Sequence, residues 1–135
     1  MSDYVLGIDY GAKRVGVAIA QRIARLPRPL TTLTNDDTLE ACLKELVARE
    51  KVGQVVVGVP RNMDGSTSQQ SEACEAFARQ LSAVLTVPVA TADETLSSEE
   101  AEAALRAMNK PYAKHDIDAM SAALILERYF EEQGV

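Results

Sequence analysis

Acidic residues stand at three places in this sequence where an acid is costly unless it does something. Asp9 ends the apolar run Tyr4–Ile8, the pair Asp93-Glu94 ends the run Val87–Ala92, and Asp118 opens an apolar stretch that reaches Leu126. A carboxylate at the end of a buried strand needs a cation beside it. The chain has one histidine and two distant cysteines, so a carboxylate set suits hard Mg²⁺ or Mn²⁺ and not zinc. Two such ions ~3.5–4 Å apart can activate a water and stabilise the leaving oxygen of a phosphodiester. Each acid also has an ordinary alternative. Asp9 could start a turn, Glu94 could be a solvated loop acid, and Asp118 could favour the helix dipole, worth ~0.3–1 kcal/mol. Asp116 is already available as a helix cap, and three acids at element ends around one edge are harder to explain in these ordinary ways.

The elements that must position them follow from periodicity. Tyr4–Ile8 and Val15–Ala20 read as strands joined by a turn carrying Gly11, Lys13 and Arg14. Gln21–Pro29 reads as loop, and Leu30–Thr34 as a third strand of an antiparallel meander. Asn35 and Asp36 are candidate N-caps for a helix with Leu39, Cys42, Leu43, Leu46 and Val47 on its apolar face. Val55–Val59 is continuously apolar, as in a strand buried on both sides. A loop over Pro60–Ser66 precedes a second helix, with Thr67 and Gln70 as a capping box and Cys74, Phe77, Ala78, Leu81 and Leu85 inward. Val87–Ala92 is the last strand. Ser97 and Glu100 would cap a helix through Ala101, Ala104, Leu105 and Met108, and the final helix runs from about Ile117 to Glu132. The order β-β-β-α-β-α-β-α-α predicts an α/β fold with a mixed sheet and helices on both faces. Ligands of such sheets gather at the carboxyl ends of the parallel strands, where these acids fall.

A length of 135 residues, 47% of them apolar, predicts a single domain over 1–135 with one core. No run is long and apolar enough to span a bilayer, and the N-terminus does not read as a signal peptide. Cys42 and Cys74 read as reduced core residues, so the expected location is cytoplasmic, away from membranes. The net charge of −6 argues against a protein that binds nucleic acid over its whole surface. The distribution says more. Tyr10 to Asn35 contains no acid but holds Lys13, Arg14, Arg22, Arg25 and Arg28, a basic N-terminal face that allows local contact with a polyanion. A merely solvated face is the alternative.

Gly7-Ile8-Asp9-Tyr10-Gly11-Ala12-Lys13-Arg14-Val15-Gly16-Val17-Ala18 resembles the first motif of the YqgF (RuvX) family, RNase-H-like proteins related to the RuvC resolvases. Gly58-Val59-Pro60 with the loop to Ser66 resembles its Gly-x-Pro loop. Asp93-Glu94-Thr95-Leu96-Ser97 resembles its Asp-Glu-Arg-Leu segment. Lys114 to Asp118, with Ala122 and Ala123, resembles its closing helix. The ordered set spans essentially the whole chain. The resemblance implies an RNase-H-like five-stranded sheet of order 3-2-1-4-5 and a site of two Mg²⁺ or Mn²⁺ ions on Asp9, Glu94 and Asp118. It also implies phosphate contacts by Arg14 and Lys114, to which Lys13 and Arg61 add nearby charge. The implied substrate is pre-16S rRNA, cut in 5′-end processing and met on ribosomal precursor particles. Branched DNA, as for a Holliday junction resolvase, is the alternative, and a non-catalytic RNA- or ribosome-binding module is the third reading.

Thr95 departs from the family arginine, so another donor such as Arg61 or Lys114 would have to offset transition-state charge. In the family strand order, one strand separates Asp9 from Glu94, which sets their backbones roughly 10 Å apart. Such a site should look open without metal. His115 reads as an exposed loop residue, with a proton-shuttle role within its reach. Ser66 and Thr67 could bind phosphate at a helix N-terminus, although capping is the commoner use. The glycine-spaced opening also resembles the phosphate-1 loop of actin-like ATPases, which clamp ATP between two such domains where this chain supplies one. Either a monomer or a homodimer fits the sequence.

Overall fold

The computed structural model describes residues 3–60, 68–94, 98–109 and 111–133, with backbone alone at 94 and 98–100. Five strands form one sheet: β1 (Tyr4–Tyr10), β2 (Arg14–Gln21), β3 (Arg28–Thr34), β4 (Val52–Pro60) and β5 (Val89–Glu94). Their order is β3-β2-β1-β4-β5, with β1, β2 and β3 antiparallel and β1, β4 and β5 parallel. Four helices complete the chain: α1 (Leu39–Arg49), α2 (Gln69–Val84), α3 (Ser98–Ala107) and α4 (Lys114–Glu132). The expected element order and mixed sheet are both present.

Strand alternation divides the core. Leu6, Ile8, Val15, Val17, Val55 and Val57 pack with α1 and α2 on one face. Val5, Ala18, Ala20, Val56 and Ala92 pack with α3 and α4 on the other. The α4 side of β2 therefore reads Gly16, Ala18, Ala20, all small, and it meets the small residues Ala119, Ala122 and Ala123 of α4. Small against small lets α4 lie close across β1, β2 and β3.

Several boundaries differ from the sequence expectation. β3 starts at Arg28 and includes Pro29, which a central strand would not tolerate. It is an edge strand, and its register shifts where Ala18 pairs with Pro29 but Val17 with Thr31. α1 is capped by neither Asn35 nor Asp36; Thr38 takes the N-cap position. The Asp36 carboxylate instead accepts from the Thr38 backbone N at 2.9 Å and Thr38 Oγ1 at 2.6 Å. Those two bonds hold Asp36 below its ordinary carboxylate pKa. Ser68 caps α2, its side chain accepting from the Ser71 backbone N. Thr67 and Ser97, proposed caps, lie outside the described residues. α4 begins at Lys114, three residues before the expected Ile117, so Asp118 sits beyond the first turn and loses most of its dipole explanation. Asp116 does cap this helix, its carboxylate accepting from the Ala113 backbone N at 2.8 Å.

The packing singles out Gly16. A Cβ there would lie 1.9 Å from the Asp118 carbonyl oxygen, whereas at Gly7 the nearest atom is the Leu126 side chain at 2.5 Å. Backbone cannot yield as a side-chain tip can. Gly16→Ala should cost about 3 kcal/mol or more in urea unfolding, and Gly7→Ala less, about 1–3 kcal/mol. Equal costs would show that α4 does not depend on Gly16.

Candidate active site

Asp9 and Asp118 come together at the carboxyl end of β1. Asp9 pairs with Gly16 across the β1–β2 ladder, and the Asp118 backbone lies over Gly16. Opposing a glycine to Asp9 is thus what brings the second acid alongside. Arg14, two residues from Gly16 on the same face of β2, donates from Nε to Asp118 Oδ2 at 2.6 Å. The Arg14 side chain is 46% exposed and that of Asp118 23%. Asp118 therefore keeps Oδ1 for another partner.

Asp9 has no such help. Among the described residues no group hydrogen-bonds or ion-pairs with its carboxylate. Burial, and then the charge of Asp118, push its pKa from 3.8 up to about 6. Both causes disfavour the anion. A partly buried, unpartnered carboxylate beside a like charge is a fit for a hard cation, which would relieve both penalties. Among the described residues no three His, Cys, Asp or Glu side chains converge on one point; the Glu94 side chain lies outside them. The backbone of Glu94 pairs with Pro60 at the tip of β4, with β4 standing between β5 and β1. The one-strand gap expected between positions 9 and 94 is therefore present.

Among the expected phosphate contacts, Lys13 and Lys114 are exposed at this same end, Lys13 in the β1–β2 turn and Lys114 at the start of α4. Arg61 lies outside the described residues, as do Ser66, Thr67 and Thr95. Arg14 is held by Asp118. His115 is exposed, with Nε2 3.4 Å from Asp116 Oδ1. The expected basic N-terminal face is instead divided. β2 runs the length of the sheet, so Lys13 and Arg14 mark one end while Arg22, Arg25 and Arg28 mark the other.

Three supporting residues escaped the sequence reading. Asn35, expected as a cap, donates from Nδ2 to the Gly11 carbonyl at 2.7 Å. Gln70, expected in a capping box, donates from Nε2 to the Tyr10 carbonyl at 2.8 Å. Together they clamp the turn that follows Asp9. Thr32 Oγ1 donates to the His115 carbonyl and fixes the first turn of α4 on β3. Their polar side chains carried no signal of these long-range partners, because each had a plausible local use.

This sheet order, with α4 laid across β1 and β2, is the architecture of resolvase-type nucleases. The Thermus thermophilus RuvC bound to a Holliday junction superposes with a TM-score of 0.61 at 17% identity, covering 98% of this chain and 96% of that one. The fowlpox virus resolvase bound to Holliday junction DNA gives 0.58 at 12% identity, covering 98% and 99%. Residues 3–132 match the RuvX family, described as Holliday junction resolvase, and the chain belongs to that family. A Shewanella denitrificans protein named "Putative pre-16S rRNA nuclease" is 38% identical, covering 98% of this chain and 97% of that one. A Pseudomonas putida protein of the same name is 39% identical, covering 94% of each. The family and its named members make this chain a nuclease, a hydrolase of phosphodiester bonds.

The elevated Asp9 pKa has a measurable sign. Its folded pKa lies above its unfolded value, so the stability it contributes is fully present below about pH 4 and falls as pH rises through about 6. In metal-free buffer, Asp9→Asn should flatten that fall and exceed wild type at pH 7 by about 1–3 kcal/mol. Parallel pH–stability curves for the two proteins would show that Asp9 is not strained.

Proposed function

We propose that this protein is a divalent-metal-dependent nuclease of structured nucleic acid, with 5′-end processing of pre-16S rRNA as its task. The observation that carries it is Asp9, partly buried beside Asp118 and without a partner among the described residues, at the sheet edge where ligands of α/β folds collect. Asp9, Glu94 and Asp118 would hold one or two Mg²⁺ or Mn²⁺ ions. When bound, the metal supplies an activated water and offsets charge on the leaving oxygen.

The chain's own residues do the rest. Arg14 fixes Asp118 Oδ2, which would leave Oδ1 free to help hold the metal. Arg14 stands between that carboxylate and solvent, half-exposed, where it can reach a non-bridging phosphate oxygen of the scissile group. Lys13 and Lys114, exposed on two different elements at the same end, flank the path of the backbone. Arg61 is the proposed donor for the transition-state charge that the family arginine at position 95 would otherwise meet. The clamp of Asn35 and Gln70 keeps the Asp9 turn from shifting as the strand end takes on charge. Pre-rRNA is preferred as substrate from the names of relatives that match along nearly their whole length. The likeness of fold to junction-bound resolvases supports a second substrate, four-way DNA. Ribosomal precursor particles follow from the first reading, and among the described residues no helix is long and apolar enough to cross a membrane.

Cleavage of structured pre-rRNA and of four-way junctions, with Mg²⁺ or Mn²⁺, tests the assignment. Wild type should cut at least one of them, and Asp9→Asn should lose about 10³-fold or more of that activity. Arg14→Ala should lose about 10–100-fold while still folding, since the pair it breaks is half-exposed. Equal activity in wild type and Asp9→Asn would sink the nuclease site. Mg²⁺ should also raise the melting temperature of wild type and not of Asp9→Asn. A protein that binds RNA without responding to Mg²⁺ by either measure would be the binding module instead.

A further inference from the structure

Arg14 stands between two partners. Its charge suits an arriving phosphate, yet its Nε donates at 2.6 Å to Oδ2 of Asp118, a carboxylate assigned above to the metal. While that pair stands, Asp118 has one oxygen left for a cation and its charge is already countered. A guanidinium and a dication at one carboxylate repel each other, so the two compete for it. The pair is also easily given up. It is a single hydrogen bond, since among the described residues the two Nη groups of Arg14 make none. The arginine is half-exposed, and ion pairs of that kind contribute little. Its Nη groups leave a planar edge that fits two oxygens of one phosphate.

The backbones on both sides are fixed by contrast. The Arg14 carbonyl accepts from the Gly11 backbone N at 3.0 Å, and the Lys13 carbonyl from the Asn35 backbone N at 2.9 Å. Asn35 Nδ2 closes the same turn on the Gly11 carbonyl. Asp118 is held where its backbone fills the space over Gly16, so it cannot follow an arginine that moves away. The guanidinium can therefore change partner by side-chain rotation alone, with both acids left in place.

We propose that Arg14 gates metal loading: it holds Asp118 until a phosphate of the incoming nucleic acid takes the guanidinium and frees the whole carboxylate for the metal. The inference rests on the nuclease reading above and adds an order of events to it. Metal affinity is low in the protein alone and rises in the complex; by linkage, metal raises the affinity for nucleic acid by the same factor. Charge sets the gate and the planar fork sets its release, so a lysine would keep the first and impair the second. A phosphate oxygen ligating the metal would couple the two as well. The gate is therefore read on the protein without nucleic acid.

Titration calorimetry with Mn²⁺ tests it. Arg14→Gln should bind Mn²⁺ about 5-fold more tightly than wild type. Arg14→Lys should bind it as wild type does, and Asp9→Asn should lose the binding. An arginine that only supports the fold predicts equal or weaker binding by Arg14→Gln. In cleavage, Arg14→Gln should reach half its maximal rate at a lower Mg²⁺ concentration, although that maximal rate is lower. The NMR signal of the Arg14 Nε–H follows the exchange directly. In EDTA, a hairpin RNA or a four-way DNA junction should shift it. Equal or weaker Mn²⁺ binding by Arg14→Gln, or an Nε–H signal that neither nucleic acid moves, would overturn the gate while wild type still binds metal and cuts. A wild type that neither binds Mn²⁺ nor cuts would overturn the nuclease reading, and the gate with it.

Discussion

The close approach of α4 to the sheet is the constraint on which the rest depends. It is possible because the α4 side of β2 reads Gly16, Ala18, Ala20 and because Gly7 lies under Leu126. No residue with a Cβ fits at Gly16, since the Asp118 backbone already occupies that space. The same contact that builds the second core therefore delivers Asp118 to the end of β1. Packing and site construction are one event here. Thr32 adds a polar latch from the edge strand to the first turn of the helix, so the helix is held in rotation as well as in height.

That placement has an electrostatic cost. Asp9 is partly buried beside a like charge and has no partner among the described residues, while Arg14 is committed to Asp118. Had Arg14 paired with both acids, the apo protein would be more stable and a cation less strongly drawn. The strain at Asp9 is thus consistent with a fold that stores part of its binding energy as unfavourable charge. Around it, the surroundings are rigid. Asn35, after β3, and Gln70, in the first turn of α2, donate to the Gly11 and Tyr10 carbonyls that follow Asp9.

The molecule also separates its charges by distance along β2. One end of the strand carries Lys13 and Arg14 beside the acids, and the other carries Arg22, Arg25 and Arg28 with exposed apolar side chains. A single basic segment of sequence thus becomes two surfaces of different character. An overall acidic protein can then present positive charge where a polyanion is handled without becoming generally sticky to it.

The sequence by itself determined the elements, their order and the identity of the acids. Hydrophobic period separates strand from helix locally, and an acid at the end of an apolar run is conspicuous without any fold. Strand order came from the motif likeness and is borne out in the register. Only the tertiary structure decided who stands beside whom. Arg14 is drawn to Asp118 and not Asp9 because α4 crosses β2 at Gly16, a contact between residues far apart in the chain. Asn35 and Gln70 were legible only as caps, because a local bond satisfies the same chemistry as the distant one they make. In the sequence Gly16 is one residue of the family motif, and in the fold it makes room for the backbone of another element. The basic stretch looked like one face because sequence carries no direction for a strand, and eight extended residues put its two halves at opposite ends.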